Sequence, residues 1–490
     1  MSTNLAPTLV WFRNDLRLAD NPAVMAAVAR GEPIIPVFVW DPVGEGSWKP
    51  GSASRWWLHQ SLANLDTHLH RLGSRLVIRC GETSAILQEL AKETNAAAIF
   101  WNRRYEPAVI ARDRTLKAAL RTQGIQAESF NAALLFEPWE VRNSTGKPFQ
   151  VFSPFWKTYL SLLEPTEEWP TPTQLTAPAR WPRTQPLGAL QLEPTINWVG
   201  GIRAAWFPGE EGAARQLAHL LDEVLIAYPQ ERDRPDHVGT SRLSPHLHFG
   251  EIGPRQVWRA VRRCLKRLGK TTEDAAAAYL RQLGWREFAH HLLFHFPYMA
   301  EQPLRAEFQA FPWREDHEAF RVWRRGYTGY PLVDAGMREL WATGWMHNRV
   351  RMIVASFLVK HLLLPWQTGA HWFWDTLVDA NLANNTLGWQ WTAGCGADAA
   401  PYFRIFNPVK QGEKFDPHGD YVRRWTPELA KLPTRWIHQP WEAPPLVLKE
   451  AGVTLNKDYP SPMINPTIAR MRALEGFASL QEKGQGRAKE

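Results

Sequence analysis

The sequence predicts an α/β domain with a doubly wound parallel sheet, followed by an all-α domain. Three observations carry this. Over residues 1–135, short apolar runs alternate with stretches of helical spacing, the pattern of a parallel sheet covered on both faces. Residues 164–210 then hold eight prolines and few periodic segments, which reads as a wrapping linker. From about residue 211 nearly every segment carries helical spacing.

The strands expected are Thr8–Phe12, Ile34–Trp40, Arg75–Arg79, Ala97–Trp101 and Gln126–Phe130. Helices near Asn21–Ala29, Ser52–Leu72, Ser84–Thr94 and Ala108–Gln123 fall between them. No G-x-G-x-x-G follows the first strand; Trp11-Phe12-Arg13-Asn14-Asp15-Leu16-Arg17 stands there instead, so a dinucleotide fingerprint is absent. Beyond the linker, helices are expected at Gly212–Ala227, Pro254–Leu268, Thr272–His295, Glu315–Arg325, Pro331–Thr343, Asn348–Leu364 and His371–Leu377. The division is therefore 1–135, a linker over 136–210, a helical domain over 211–470, and a polar tail over 471–490.

Composition excludes several classes. With 44% hydrophobic and 12% aromatic residues, the chain has the content for real cores and not for disorder. No apolar run approaches the roughly 20 residues that span a bilayer. The N-terminus, Met1-Ser2-Thr3-Asn4-Leu5-Ala6-Pro7, lacks the basic and then apolar pattern of a leader,. Cys80, Cys264 and Cys395 form no C-x-x-C pair, which argues against a disulfide framework or cysteine zinc site and for a reducing, cytoplasmic setting. The net charge of +8 suits an anionic partner such as nucleic acid,. The 26 tryptophans fit either a large aromatic core or rings that stack on bases or carry electrons.

Several segments carry chemistry. Thr240-Ser241-Arg242-Leu243-Ser244 sets hydroxyls and a guanidinium beside Gly239, a set that suits phosphate oxygens or, as plainly, a helix cap. Gln282, Trp285 and Arg286 share a helical face,. His291 and His295 are four apart, but no H-E-x-x-H or third ligand accompanies them, so no metal is expected. Asn348 and Met352 lie one turn apart, Arg351 needs an acid, and Asp379 is a candidate. Amides and indoles crowd Asn385–Trp391, and burying such amides without a polar partner is costly. That favours a bound heteroaromatic cofactor.

Taken in order, Trp11–Leu18, Thr240–Pro245, Trp285–Phe288, Gly326–Met337, Gly344–Met352, Gly388–Trp391 and Tyr402–Pro408 resemble the photolyase/cryptochrome family over nearly the whole chain. Tyr330–Leu364 and Leu387–Trp441 also look like plant cryptochromes and the bacterial class III-like photolyases nearest to them. The resemblance implies an α/β antenna domain, a helical FAD-binding catalytic domain, and a flavin that reduces a pyrimidine dimer in DNA under blue light. Such enzymes are among those that take their target base out of the stack. By resemblance, Tyr228 and Thr240, Ser241, Arg242, Leu243 and Ser244 hold the FAD phosphates and ribityl, and Arg286 faces the cofactor. Arg351 and Asp379 pair beside the isoalloxazine, Asp379, Ala380 and Asn381 line its edge, and Asn385 faces N5. Trp389, Trp366 and Trp313 form the electron chain. Trp285 and Trp391 pack on the dimer; Gln282, Asn348 and Met352 complete the pocket. Arg232 and Arg349 join Gln282, Trp285 and Asn348 in contacting DNA.

The chain departs from the family at Gln282, where photolyases of cyclobutane dimers usually carry Glu. Glu donates a hydrogen bond when protonated and moves a proton; Gln does only the first. Asn381 replaces a frequent acid, and Thr386 a frequent Asn. Glu106 suits the pterin ring of a folate antenna, with methenyltetrahydrofolate favoured over a deazaflavin; a solvated Glu at a helix start is the plainer alternative. The expectation is a monomeric dimer-repair lyase, with a cryptochrome-like photoreceptor as the alternative.

Overall fold

The computed structural model describes residues 6–163, 168–268, 272–402 and 404–487. The leader reading at Met1–Leu5 and the end of the 471–490 tail lie outside them. The chain packs as two compact units. One comprises Met1–Ile226, Ser241–Pro297 and Val378–Leu382; the other comprises Ala227–Thr240, Tyr298–Leu377 and Ala383–Glu490.

The first unit contains a five-stranded sheet of β1 (Thr8–Phe12), β2 (Ile34–Trp40), β3 (Val77–Cys80), β4 (Ala98–Asn102) and β5 (Gln126–Phe130). Their order is β3-β2-β1-β4-β5, every pairing parallel. The central strands are buried along nearly their whole length while the edge strands surface, as a sheet covered on both faces requires. Register sets Trp11 beside Trp101, and their rings meet at 5.8 Å in a core with Val37, Leu87 and Leu116.

The loop after β1 is knitted by its own polar side chains. Asn102 donates to Asp15 at 2.5 Å and to Asn21 at 2.8 Å. The buried Arg17 donates to the carbonyls of Asp20, Ala132 and Gly250. The Trp11–Arg17 motif is a brace where a phosphate loop stands in other doubly wound folds.

Several regions differ from the sequence expectation. Within the stretch read as linker, Phe152–Leu162 is a helix, with Phe152, Phe155 and Tyr159 buried at helical spacing. Leu382–Ala393 is a helix too; its Asn, Thr and Gly residues are weak helix formers, and packing overrides them. The stretch read as a polar tail is helical through Arg487 in Pro466–Arg487, burying Ala469, Ala473 and Leu480 along one side. The helix expected from His371 begins earlier, at Trp366 after Pro365. The expected Asn348–Leu364 helix ends as regular α at Ser356 and widens to a π turn over Phe357–His361.

Candidate flavin and DNA site

In the first unit, the long Glu273–His295 helix presents Gln282, Trp285 and Arg286, all half-buried. Gln282 Nε2 donates to its own helix at Ala278 O, 3.3 Å away. Arg286 donates to Ala133 O at 2.6 Å, and its Nη1 lies 3.7 Å from Glu287. Burial raises Glu287 to about 7, against the pull of Arg286 and the Leu135 amide. Trp285 stacks on Phe152, centroids 3.7 Å apart and planes within 6°. Leu243 N donates to Ser241 Oγ at 3.4 Å, Ser244 is exposed, Arg242 holds φ +50°, and its guanidinium lies 4.5 Å from the Trp206 ring.

Asp379 and Ala380 are buried. Asn381 Nδ2 donates to His290 Nε2 at 3.4 Å, while His290 Nδ1 donates to Arg286 O at 2.8 Å. Burial and then the Arg286 charge push His290 down to about 3. Glu106 caps the Pro107–Thr122 helix without a side-chain cap bond; instead it accepts from Arg104 at 3.1 and 3.2 Å. Burial would raise its carboxyl, but the Arg104 charge, the Arg104 hydrogen bonds and its own backbone amide together overcome that and hold it at about 2.

In the second unit, Asn385 Nδ2 donates to Ala370 O at 3.0 Å. That fixes the amide with Oδ1 as the end left to accept. Trp389 and Trp366 are buried and Trp313 is half-buried. Trp389 meets Phe373 at 5.0 Å and Trp323 at 6.3 Å, and Gly369 lies against its six-membered ring. Asn348 is exposed, with Nδ2 4.0 Å from Met352 Sδ; Met352 and Trp391 are half-buried. Arg349 pairs with Asp233 at 2.7 Å and lies over Phe415. Arg351 Nε donates to Met346 O at 2.7 Å. Tyr228 is buried, with the Arg232 guanidinium 5.7 Å from its ring; Thr240 is half-buried.

Sequence reasoning missed Phe152, Gly369 and His290 as supports of these side chains. Gly369 is three residues after Trp366, a spacing that marks one helical face; Phe152 meets Trp285 only through long-range packing, which no local pattern reveals. Among the described residues no cluster of three or more His, Cys, Asp or Glu could hold a metal, and no helix is long and apolar enough to cross a membrane.

Each unit by itself offers residue types that fit a flavin dinucleotide: in the first, the hydroxyls of Ser241 and Ser244 and the Arg242 guanidinium suit phosphates, and in each unit one anchored amide, Asn381 or Asn385, suits a group that both donates and accepts,. A parallel-sheet domain joined to a helical one with these residues defines a flavoprotein class, and the comparisons agree. Residues 8–174 match the DNA photolyase family, and residues 279–479 match the FAD binding domain of DNA photolyase. The chain belongs to the photolyase/cryptochrome family. It is 48% identical to the deoxyribodipyrimidine photo-lyase of Agrobacterium fabrum, over 98% of this chain and 100% of that one. It is 43% identical to cryptochrome-1 of Arabidopsis thaliana, over 96% of this chain and 70% of that one. The crystal structure of a bacterial class III photolyase from Agrobacterium tumefaciens superposes with a TM-score of 0.95 at 48% identity, over 98% of this chain and 99% of that one.

Proposed function

We propose that this protein is a blue-light-driven, FAD-dependent lyase that splits cyclobutane pyrimidine dimers in DNA. The observation that carries the reading is the likeness to the Agrobacterium fabrum photo-lyase along the full length of both chains. When bound, reduced FAD supplies on blue-light excitation the electron that opens the dimer. Tyr228, Thr240, Ser241, Arg242, Leu243 and Ser244 hold its phosphates and ribityl chain. Arg286, Arg351, Asp379, Ala380 and Asn381 line its ring system. Asn385, oriented by its Nδ2 bond to Ala370 O, would present Oδ1 as an acceptor to the N5–H of the bound, reduced ring.

Trp285 and Trp391 stack on the displaced lesion, whose two linked pyrimidines are already poorly stacked. Gln282, Asn348 and Met352 complete the pocket. Gln282 turns from Ala278 O to donate to a dimer carbonyl, stabilising charge there without moving a proton. Arg232 and Arg349 meet DNA phosphates; Arg349 exchanges Asp233 for that role. Trp389, Trp366 and Trp313 would relay electrons inward from an external one-electron donor, such as a thiol in solution, that re-reduces the outermost indole and so keeps the flavin reduced. For the antenna we favour methenyltetrahydrofolate on Glu106, whose ionised carboxylate accepts N–H groups of a pterin. The protein acts as a monomer in the cytoplasm, on DNA.

The test is illumination of FAD-loaded, chemically reduced protein with a dimer-containing oligonucleotide, scored for restored thymines. Restoration in blue light and none in the dark is expected. No restoration in light overturns the repair reading in favour of a cryptochrome-like photoreceptor, which Gln282 and the likeness to Arabidopsis cryptochrome-1 favour.

A further inference from the structure

We propose that Phe152 is a positioning residue for lesion recognition, a back-plate that fixes the plane of the Trp285 indole before DNA arrives. The inference rests on the reading of Trp285 as a wall of the lesion pocket. Phe152 is fully buried, at 0% exposure, and opens the Phe152–Leu162 helix. That helix packs so closely on Glu273–His295 that a Cβ at Gly284 would lie 2.3 Å from Cζ3 of Trp156. Glycine is demanded there, one residue before Trp285.

The close approach brings the two aromatic sets together. Phe152 and Trp156, one turn apart, lie within 13° of parallel, and the Trp285 indole lies on Phe152 at van der Waals separation. Ring pairs left to themselves choose offset or edge-on arrangements at about 4.5–7 Å, so this nearly parallel contact is imposed by its surroundings. Phe288 meets the Trp285 ring at 74° and Phe152 at 73°, closing a second side. Phe155 lies behind Phe152 at 6.5 Å, and the Arg281 guanidinium lies 4.8 Å from the Phe152 ring.

One indole face is thereby spent on Phe152, and Trp285 remains only half-buried. A flat partner would stack on the opposite face. A base or linked base pair stacks well only on a ring whose tilt is already set, because ordering a free side chain costs affinity at the moment of binding. A leucine at 152 keeps apolar bulk but offers no plane. The preference for a flipped lesion over stacked DNA then falls by roughly three- to tenfold, the order expected for one unfixed side chain or one lost aromatic pair.

The experiment measures dissociation constants of FAD-loaded protein in the dark for matched oligonucleotides with and without a thymine dimer. Phe152→Leu and Phe152→Met are compared with Trp285→Leu and with Phe155→Leu, which removes a buried ring from the same helix without touching Trp285. The expected result is that both Phe152 variants and Trp285→Leu lose preference for the dimer, while Phe155→Leu lowers Tm and keeps the preference. The inference is overturned if Trp285→Leu loses the preference and both Phe152 variants keep it. If Trp285→Leu also keeps it, the reading of Trp285 falls and the inference with it.

Discussion

Gly369→Ala tests how tightly the structure grips Trp389. A methyl group at residue 369 would lie 2.1 Å from Cη2 of Trp389, and 2.5 and 2.6 Å from Cζ3 and Cζ2. Carbon atoms settle at about 3.5–4.0 Å, so the indole must retreat by about 1.5 Å. Little space receives it: Phe373 meets the ring edge-on at 5.0 Å, and Trp323, 0% exposed, is pinned by donating to Val354 O at 3.0 Å. Overpacking costs about 1–3 kcal/mol, while alanine returns up to about 1 kcal/mol of helix propensity. The net loss of about 1 kcal/mol is small for so large a chain, so the sharper readout is electron supply. Photoreduction of oxidised FAD, followed by visible absorbance in continuous blue light, should slow severalfold in the variant. Dimer repair by chemically pre-reduced protein should stay at the wild-type level. Photoreduction at the wild-type rate with an unchanged Tm would show that Trp389 is neither gripped here nor the first relay.

Gln282→Glu should raise dimers repaired per absorbed photon in fully reduced protein by roughly tenfold, since a protonated carboxyl donates a stronger hydrogen bond worth about 1–3 kcal/mol; an equal or lower yield means residue 282 does not limit repair. Trp366→Phe keeps bulk at a site only 1% exposed but is much harder to oxidise, so photoreduction should nearly stop while repair by pre-reduced protein continues; wild-type photoreduction refutes the chain. Glu287 titrates near 7 in the fold against an ordinary 4.5, chiefly through burial. Its stability contribution is whole below the ordinary value and is lost as pH rises through the folded one, by about 3 kcal/mol. The Tm of Glu287→Gln minus that of wild type should therefore climb between those values and level off above them, and a flat difference refutes the assignment.

The sheet was legible because its signal is local: buried parallel strands are continuous apolar runs, and Ile34–Trp40 is such a run between turn residues. Gln282, Trp285 and Arg286 could be grouped from helical spacing alone. The Leu382–Ala393 helix was not legible, because Asn384, Asn385, Thr386 and Gly388 speak against helix locally and only the packed interior decides for it. Phe152 was hidden for a different reason. It lies among prolines and polar turns, and its importance arises from a partner more than a hundred residues away. The extent of the C-terminal helix, to Arg487, was masked by its polar content, although Ala469, Ala473 and Leu480 already mark a narrow buried stripe.

Asn381, where family members frequently carry an acid, has a physical reason in this chain. His290 is buried and donates from Nδ1 to the Arg286 carbonyl, which fixes the neutral tautomer with Nε2 as an acceptor. Protonating Nε2 is opposed twice, by loss of solvent and by the neighbouring Arg286 charge. A carboxylate at residue 381 has no proton to give this nitrogen, so the two lone pairs would face each other beside a buried imidazole,. An amide resolves the conflict, because its Nδ2 donates to His290. The departure at 381 therefore belongs with His290 as a pair, and a change at one position is compatible with the fold only when the other supplies the missing donor. Gln282 differs in kind: among the described residues its amide donates within its own helix, to Ala278 O, so a Glu there would lose one local bond and its effect would fall on the chemistry of the bound lesion.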